Sequence, residues 1–147
     1  MKILIASRVG FLRLLLSQAL EKEGHQTASA DSPGHVLCHL RQACDIDVVL
    51  VDADMSGLSA SELWRALSQV DRISDEGRSL PPYTVMLCHR SIRDRGDMQT
   101  ILTKCRSGLG FGEILEKPID YGLLCDRIRA IAKERLEHKQ AFSRSQT

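Results

Sequence analysis

The stretch DIDVVLVDADMSGLSASELWRAL, Asp45 to Leu67, decides how the rest of the chain is read. Asp47 to Val51 reads as a strand in which Val48 to Val51 is an unbroken apolar run rich in β-branched residues. A strand with one wet face would alternate; a continuous run marks a strand covered on both faces. It ends in a polar turn, Asp52-Ala53-Asp54-Met55-Ser56-Gly57. Ser59-Ala60-Ser61-Glu62 then has the spacing of a capping box, and Leu63, Trp64 and Leu67 carry a helix to about Gln69. Trp64 and the leucines beside it read most simply as core.

The same strand-then-helix unit recurs on either side. Lys2 to Ala6 is a short buried-type strand, followed by a helix over Gly10 to Glu23 with Phe11, Leu12, Leu15, Leu16, Ala19 and Leu20 on a helical period. Gly24 stops it. Gln26 to Ala30 is a weaker, partly polar strand suited to a sheet edge. Asp31-Ser32-Pro33 opens a second helix, which Leu37, Leu40 and Arg41 carry to about Ala43. Beyond the polar loop Val70 to Pro82, Thr84 to Cys88 is a fourth strand and Asp94 to Lys104 a helix with Met98, Ile101 and Leu102 inward. Glu113 to Glu116 is a fifth, short strand ended by Lys117-Pro118. Asp120 caps a last helix with Leu124, Ile128 and Ile131 inward. Five alternations imply a parallel sheet with helices on both faces and right-handed crossovers. The expected organisation is one domain over residues 1–137 and a polar tail over 138–147.

Composition narrows the function classes. The chain has 147 residues, 43% hydrophobic and 27% charged, which suits one soluble globule and not a disordered chain. A net charge of +1 supplies no electrostatic footprint for nucleic acid or an anionic membrane, and 4% aromatics supply no stacking platform. Five scattered cysteines without a C-x-x-C spacing suit reduced thiols and a cytoplasmic setting. Arg8 and Arg13 interrupt the N-terminal apolar run, so it is not read as a signal peptide. No run is long enough to span a membrane.

In an open parallel sheet, ligands bind beyond the carboxyl ends of the strands. The residues there are Ser7 and Arg8, Asp52, Cys88 and His89, and Lys117. A carboxylate flanked by two cations at such a rim is a candidate nucleophile or anion site, and equally a plain structural ion pair.

Three motifs, MKILIASRVGFLRLLL at the start, DIDVVLVDADMSGLSASELWRAL in the middle and GFGEILEKPID near the end, resemble a response-regulator receiver domain over roughly residues 1 to 136. The most specific features are an Asp closing an apolar strand with Met55, Gly57 and a capped helix after it, and Lys117-Pro118 after a short strand. The resemblance implies a flavodoxin-like, doubly wound five-stranded parallel sheet of order 2-1-3-4-5 with five helices. It implies Asp52 as phospho-acceptor from a sensor histidine kinase or phosphotransfer protein, and Lys117 as the ammonium that meets the phosphoryl oxygens. Pro118 matches the family's cis position. With no output domain apparent, the chain is expected to work by binding a downstream partner or a second copy. The face expected for this is that of the fourth helix, fifth strand and fifth helix, about Ile92 to Lys104 and Leu123 to Leu136. It is read as a signalling protein, not an enzyme.

Five positions depart from the family pattern. Ser7 and Arg8 stand where the family carries two Mg²⁺-holding acids, Cys88 where it carries a switch hydroxyl, Ile114 where it carries an aromatic switch, and Ser56 where Pro follows the Met. The family pocket of three carboxylates and one lysine recruits a cation. Here Asp52, Arg8 and Lys117 sum to +1, or to zero if Asp54 faces the pocket. One unit charge pair at about 4 Å is worth about 4 kcal/mol at an effective dielectric of about 20. A weak Mg²⁺ site or none is therefore expected. Either Arg8 takes the metal's place on the phosphoryl oxygens, with slow or metal-independent phosphorylation, or Arg8 and Lys117 clamp Asp52 in a pseudo-receiver that is never phosphorylated.

Other signals carry less. Gly108-x-Gly110-x-Gly112 lacks the dinucleotide spacing and reads as a loop entering the fifth strand. Cys88 and His89, adjacent on a strand, point apart and make no nucleophile–base pair. His35, Cys38 and His39, with Cys44 nearby, can present metal ligands on one helix face. The plainer reading is a half-exposed amphipathic helix with Cys38 in the core.

Overall fold

The computed structural model describes residues 1–42, 45–52, 82–88 and 111–145. They form β1 (Lys2–Ala6), α1 (Gly10–Lys22), β2 (Gln26–Ala30), α2 (Pro33–Gln42), β3 (Val48–Asp52), β4 (Tyr83–Cys88), β5 (Phe111–Glu116) and α3 (Tyr121–Ser145). The strands make one parallel sheet of order β2-β1-β3-β4-β5. The parallel sheet is the one expected from the alternation, and its order is the one the resemblance implies. The helices expected over Ser59–Gln69 and Asp94–Lys104 lie outside the described residues.

Side chains alternate across each strand, so each contributes to both faces. Ile3, Ile5, Val48, Leu50, Val85 and Leu87 face Leu16 and Leu20 of α1 and Leu124, Ile128 and Ile131 of α3 in one buried cluster. Leu4, Val49, Val51 and Met86, of the opposite parity, are buried too, and α2 packs on β1 and β2 with Val36 and Leu40 buried. Each such side chain contributes about 1.5–3 kcal/mol by leaving water. All five residues of β3 are buried, four of them the apolar run Val48 to Val51 and the fifth Asp52.

The helix boundaries follow local chemistry. Gly24 takes φ 90°, a left-handed conformation that glycine adopts without a Cβ clash, and ends α1. The Ser32 hydroxyl accepts from the His35 N–H at 3.2 Å and caps α2. Asp120 caps α3, its Oδ1 accepting from the Leu123 N–H at 3.1 Å.

Several expectations need correction. Phe11 is exposed, because an i+4 ladder extended back from Leu15 leaves the buried stripe of Leu16 and Leu20. Cys38 is exposed too, since α2 buries Val36 and Leu40 instead. β3 runs one residue later than expected and takes in Asp52. β5 starts at Phe111, so Gly112 lies inside the strand and not in a loop. The β4–β5 register slips there: Thr84 pairs with Phe111 and Val85 with Glu113, leaving Gly112 as the extra residue of a bulge. Finally, α3 continues through His138 to Ser145. No Pro or Gly occurs after Gly122 to stop it.

At the amino end of the sheet, Asp47 joins several elements. Its N–H donates to the Lys2 carbonyl at 2.9 Å, and its carbonyl accepts from the Tyr83 N–H at 2.8 Å. Its Oδ2 accepts from the Lys2 N–H at 3.2 Å, and Oδ1 lies 3.5 Å from Arg135 Nε. Burial lowers the Arg135 guanidinium's affinity for its proton, and Asp47 opposes that shift.

Candidate functional site

Three polar side chains meet at the opposite, carboxyl end of the sheet. Asp52 Oδ1 accepts from Lys117 Nζ at 2.6 Å, and Oδ2 accepts from the Ser7 hydroxyl at 2.8 Å. Alternation explains the convergence. Ser7 continues the parity of Ile3 and Ile5, Asp52 that of Val48 and Leu50, and Lys117 that of Leu115, all members of or packed against the same cluster. Asp52 is 3% exposed and Ser7 fully buried, while the Lys117 side chain keeps a fifth of its surface in water. A carboxylate so deeply buried needs partners for its charge, and both oxygens have one.

The loops that present these groups are tied down. The Lys117 N–H donates to the Cys88 carbonyl at 3.0 Å, holding the end of β5 to the end of β4. The Lys117-Pro118 peptide is cis, as the resemblance implies. Past β1, the Ser7 N–H donates to the Ala30 carbonyl at 3.0 Å, and the Ser7 hydroxyl also accepts from the Val9 N–H at 3.1 Å. Its oxygen thus accepts from Val9 while its proton goes to Asp52.

Arg13 is a site neighbour that the sequence reading passed over. One Nη of its guanidinium donates to the Ser7 carbonyl, so α1 holds the turn that aims Ser7. The available signal was a cation in an otherwise leucine-rich stretch of the helix that follows β1.

Other expected site residues are placed only in part. Arg8 directly follows Ser7 at the same rim and is exposed. Cys88 is the buried last residue of β4, one position beyond Leu87, the register partner of Asp52. Ile114 pairs with Met86 in the β4–β5 ladder. Asp54 and His89 lie outside the described residues, as do Ser56, Cys44 and the Ile92 to Lys104 part of the expected partner face. Among the described residues, no three His, Cys, Asp or Glu side chains gather into a group that could hold a metal. A hard divalent cation takes six or more oxygens, several of them anionic or carbonyl. The described donors here are one carboxylate, already engaged by an ammonium, and one neutral hydroxyl, and they do not fit such an ion.

No protein-family model matches the chain, and no curated protein matches it. Solved structures do. The chain is similar to a response-regulator receiver domain protein from Clostridium thermocellum, with TM-score 0.67, 23% identity, and 95% of this chain and 98% of that one covered. It is similar to a CheY-like receiver domain protein from Methanospirillum hungatei JF-1, with TM-score 0.72 and 17% identity over 93% and 97% of the two chains. A Francisella response-regulator receiver domain gives TM-score 0.69 and 20% identity over 90% and 97%. The fold is that of the receiver domains of two-component response regulators. Among the described residues, no helix is long and apolar enough to cross a membrane.

Proposed function

We propose that this chain is a divergent receiver module in two-component signalling, with Asp52 as the phospho-acceptor. The observation that carries this reading is the Asp52 carboxylate at the carboxyl end of the central strand, with Lys117 Nζ 2.6 Å from it. In the proposed step a carboxylate oxygen attacks the phosphorus of a phosphohistidine on a sensor kinase or phosphotransfer protein. The new O–P bond forms as the N–P bond breaks, and the departing imidazole nitrogen takes the electron pair and then a proton. Oδ2 is the oxygen freed at lower cost, because its partner is a neutral hydroxyl that turns about one bond. Oδ1 is held by a charge-assisted bond. Once transferred, the phosphoryl group brings about −2 of charge, against which Lys117 and Arg8 together supply +2.

That charge count is the basis for proposing weak or absent Mg²⁺ dependence, with Arg8 as the cation nearest to the place of the missing acids. Exposed Val9, Phe11 and Leu14 lie on the turn and helix that follow Ser7, which supports a protein as the donor. The role is that of a signalling module, not of a turnover enzyme. A downstream partner or a second copy would meet the face that includes β5 and α3.

A second reading rests on the burial of Asp52 and the engagement of both its oxygens. In it Lys117 and Ser7 lock the carboxylate, and the module binds its partner without phosphorylation. Incubation with phosphoramidate, a small mimic of phosphohistidine, separates the two by intact mass. The first reading predicts one added phosphate, removed by hydroxylamine and absent from Asp52→Asn. A chain that stays unmodified under all conditions supports the second.

A further inference from the structure

We propose that His35 and His39 form a two-imidazole chelate for a divalent transition-metal ion on the outer face of α2. The site is independent of Asp52 and of any phosphoryl chemistry. Residues four apart lie on one helix face, the spacing that lets two imidazoles bind one zinc in H-E-x-x-H helices. Here the ring centroids are 4.7 Å apart and tilted by 32°. A metal–nitrogen bond of about 2.1 Å plus a ring radius of about 1.1 Å puts each centroid about 3.2 Å from a shared ion. N–metal–N angles from a right angle to the tetrahedral angle then need centroids about 4.5–5.2 Å apart. The observed spacing falls within that range.

The partners of the rings point the same way. His35 Nδ1 is 3.3 Å from Asp31 Oδ1, and His39 Nε2 is 3.1 Å from the Ser29 carbonyl oxygen. An ionised carboxylate and a carbonyl can only accept, so the tautomer that makes both bonds has its proton on these nitrogens and its lone pairs on His35 Nε2 and His39 Nδ1. Metal-bound histidines characteristically donate the other ring N–H to a carboxylate or a backbone carbonyl. That donor half of the arrangement is in place without a metal. The His35 side chain is half exposed, so an ion can enter from water.

Imidazole pairs select zinc, copper or nickel over magnesium or calcium. Two protein ligands leave the other positions to water, so binding is weaker than in a closed four-ligand zinc site. Cys38, also exposed, belongs to no three-ligand group among the described residues and is not a required ligand.

Titration of the full chain with Ni²⁺ or Zn²⁺, followed by calorimetry, tests this. The expected result is one saturable site per chain. Either His35→Gln or His39→Gln weakens it by more than tenfold, Asp31→Asn weakens it about tenfold, and Cys38→Ser leaves it unchanged. Circular dichroism of each variant confirms that α2 is kept. Absence of saturable binding up to millimolar metal overturns the proposal. So does binding that survives both histidine substitutions, or that is lost in Cys38→Ser.

Discussion

Lys117 and Asp52 depend on each other unequally. Lys117 keeps part of its surface in water, whereas Asp52 has almost none. Removing the lysine therefore takes the ammonium away from a buried negative charge, and Lys117→Ala is expected to cost about 3 kcal/mol, the low end of the range for broken buried pairs. Adding Asp52→Asn should recover most of that loss, because the buried charge goes with it. Urea denaturation of the single and double variants measures both effects. A second residue-scale prediction concerns His25, whose Nδ1 lies 3.2 Å from the Met1 ammonium. Burial first, and then that ammonium, hold its imidazole below the usual value of 6.5, with Glu23 opposing the shift. The unfolded chain then binds a proton more readily than the folded one, so stability falls as pH drops through about 6.5. Thermal melts between about pH 7.5 and pH 5.5 should show that loss, and His25→Gln should flatten it.

The elements were legible where one residue type does one job. Gly24, Ser32 and Asp120 mark helix ends through conformations and bonds that few other residues supply, and the structure uses all three as expected. Asp120→Ala should cost about 1 kcal/mol in a denaturant melt, the usual worth of an N-cap. Periodicity was less reliable at the edges of a stripe. Phe11 and Cys38 fit a loose helical period, yet both are exposed, because burial depends on which neighbouring turn meets the sheet. Gly112 departs from expectation for a different reason. A glycine before a short strand suggests a loop, and only its pairing against Thr84 and Val85 reveals a bulge inside β5. α3 outran its expected end because its polar continuation contains good helix formers, which polarity alone does not distinguish from a tail.

At the scale of the molecule, the two ends of the sheet do different work. Asp47 ties β1, β4 and α3 to the start of β3, and Asp47→Ala should cost about 3 kcal/mol by leaving Arg135 without that carboxylate. A urea midpoint lowered with an unchanged slope would show that the loss is one of stability alone. The carboxyl end holds the site, and its meeting of Ser7, Asp52 and Lys117 was visible in advance because strand order and strand ends together bring distant residues to one rim. What the sequence could not display was the use made of each oxygen of Asp52, or the part of Arg13, since both depend on turn geometry. The central claim is that this rim takes a phosphoryl group on Asp52 with its own cations in place of a tightly held metal. Intact mass after incubation with acetyl phosphate, in Mg²⁺ and separately in chelator, tests it most directly. The account predicts one hydroxylamine-labile phosphate in both buffers, lost in Asp52→Asn and slowed in chelator by Arg8→Ala. Labelling that requires Mg²⁺, or that persists in Asp52→Asn, would contradict it.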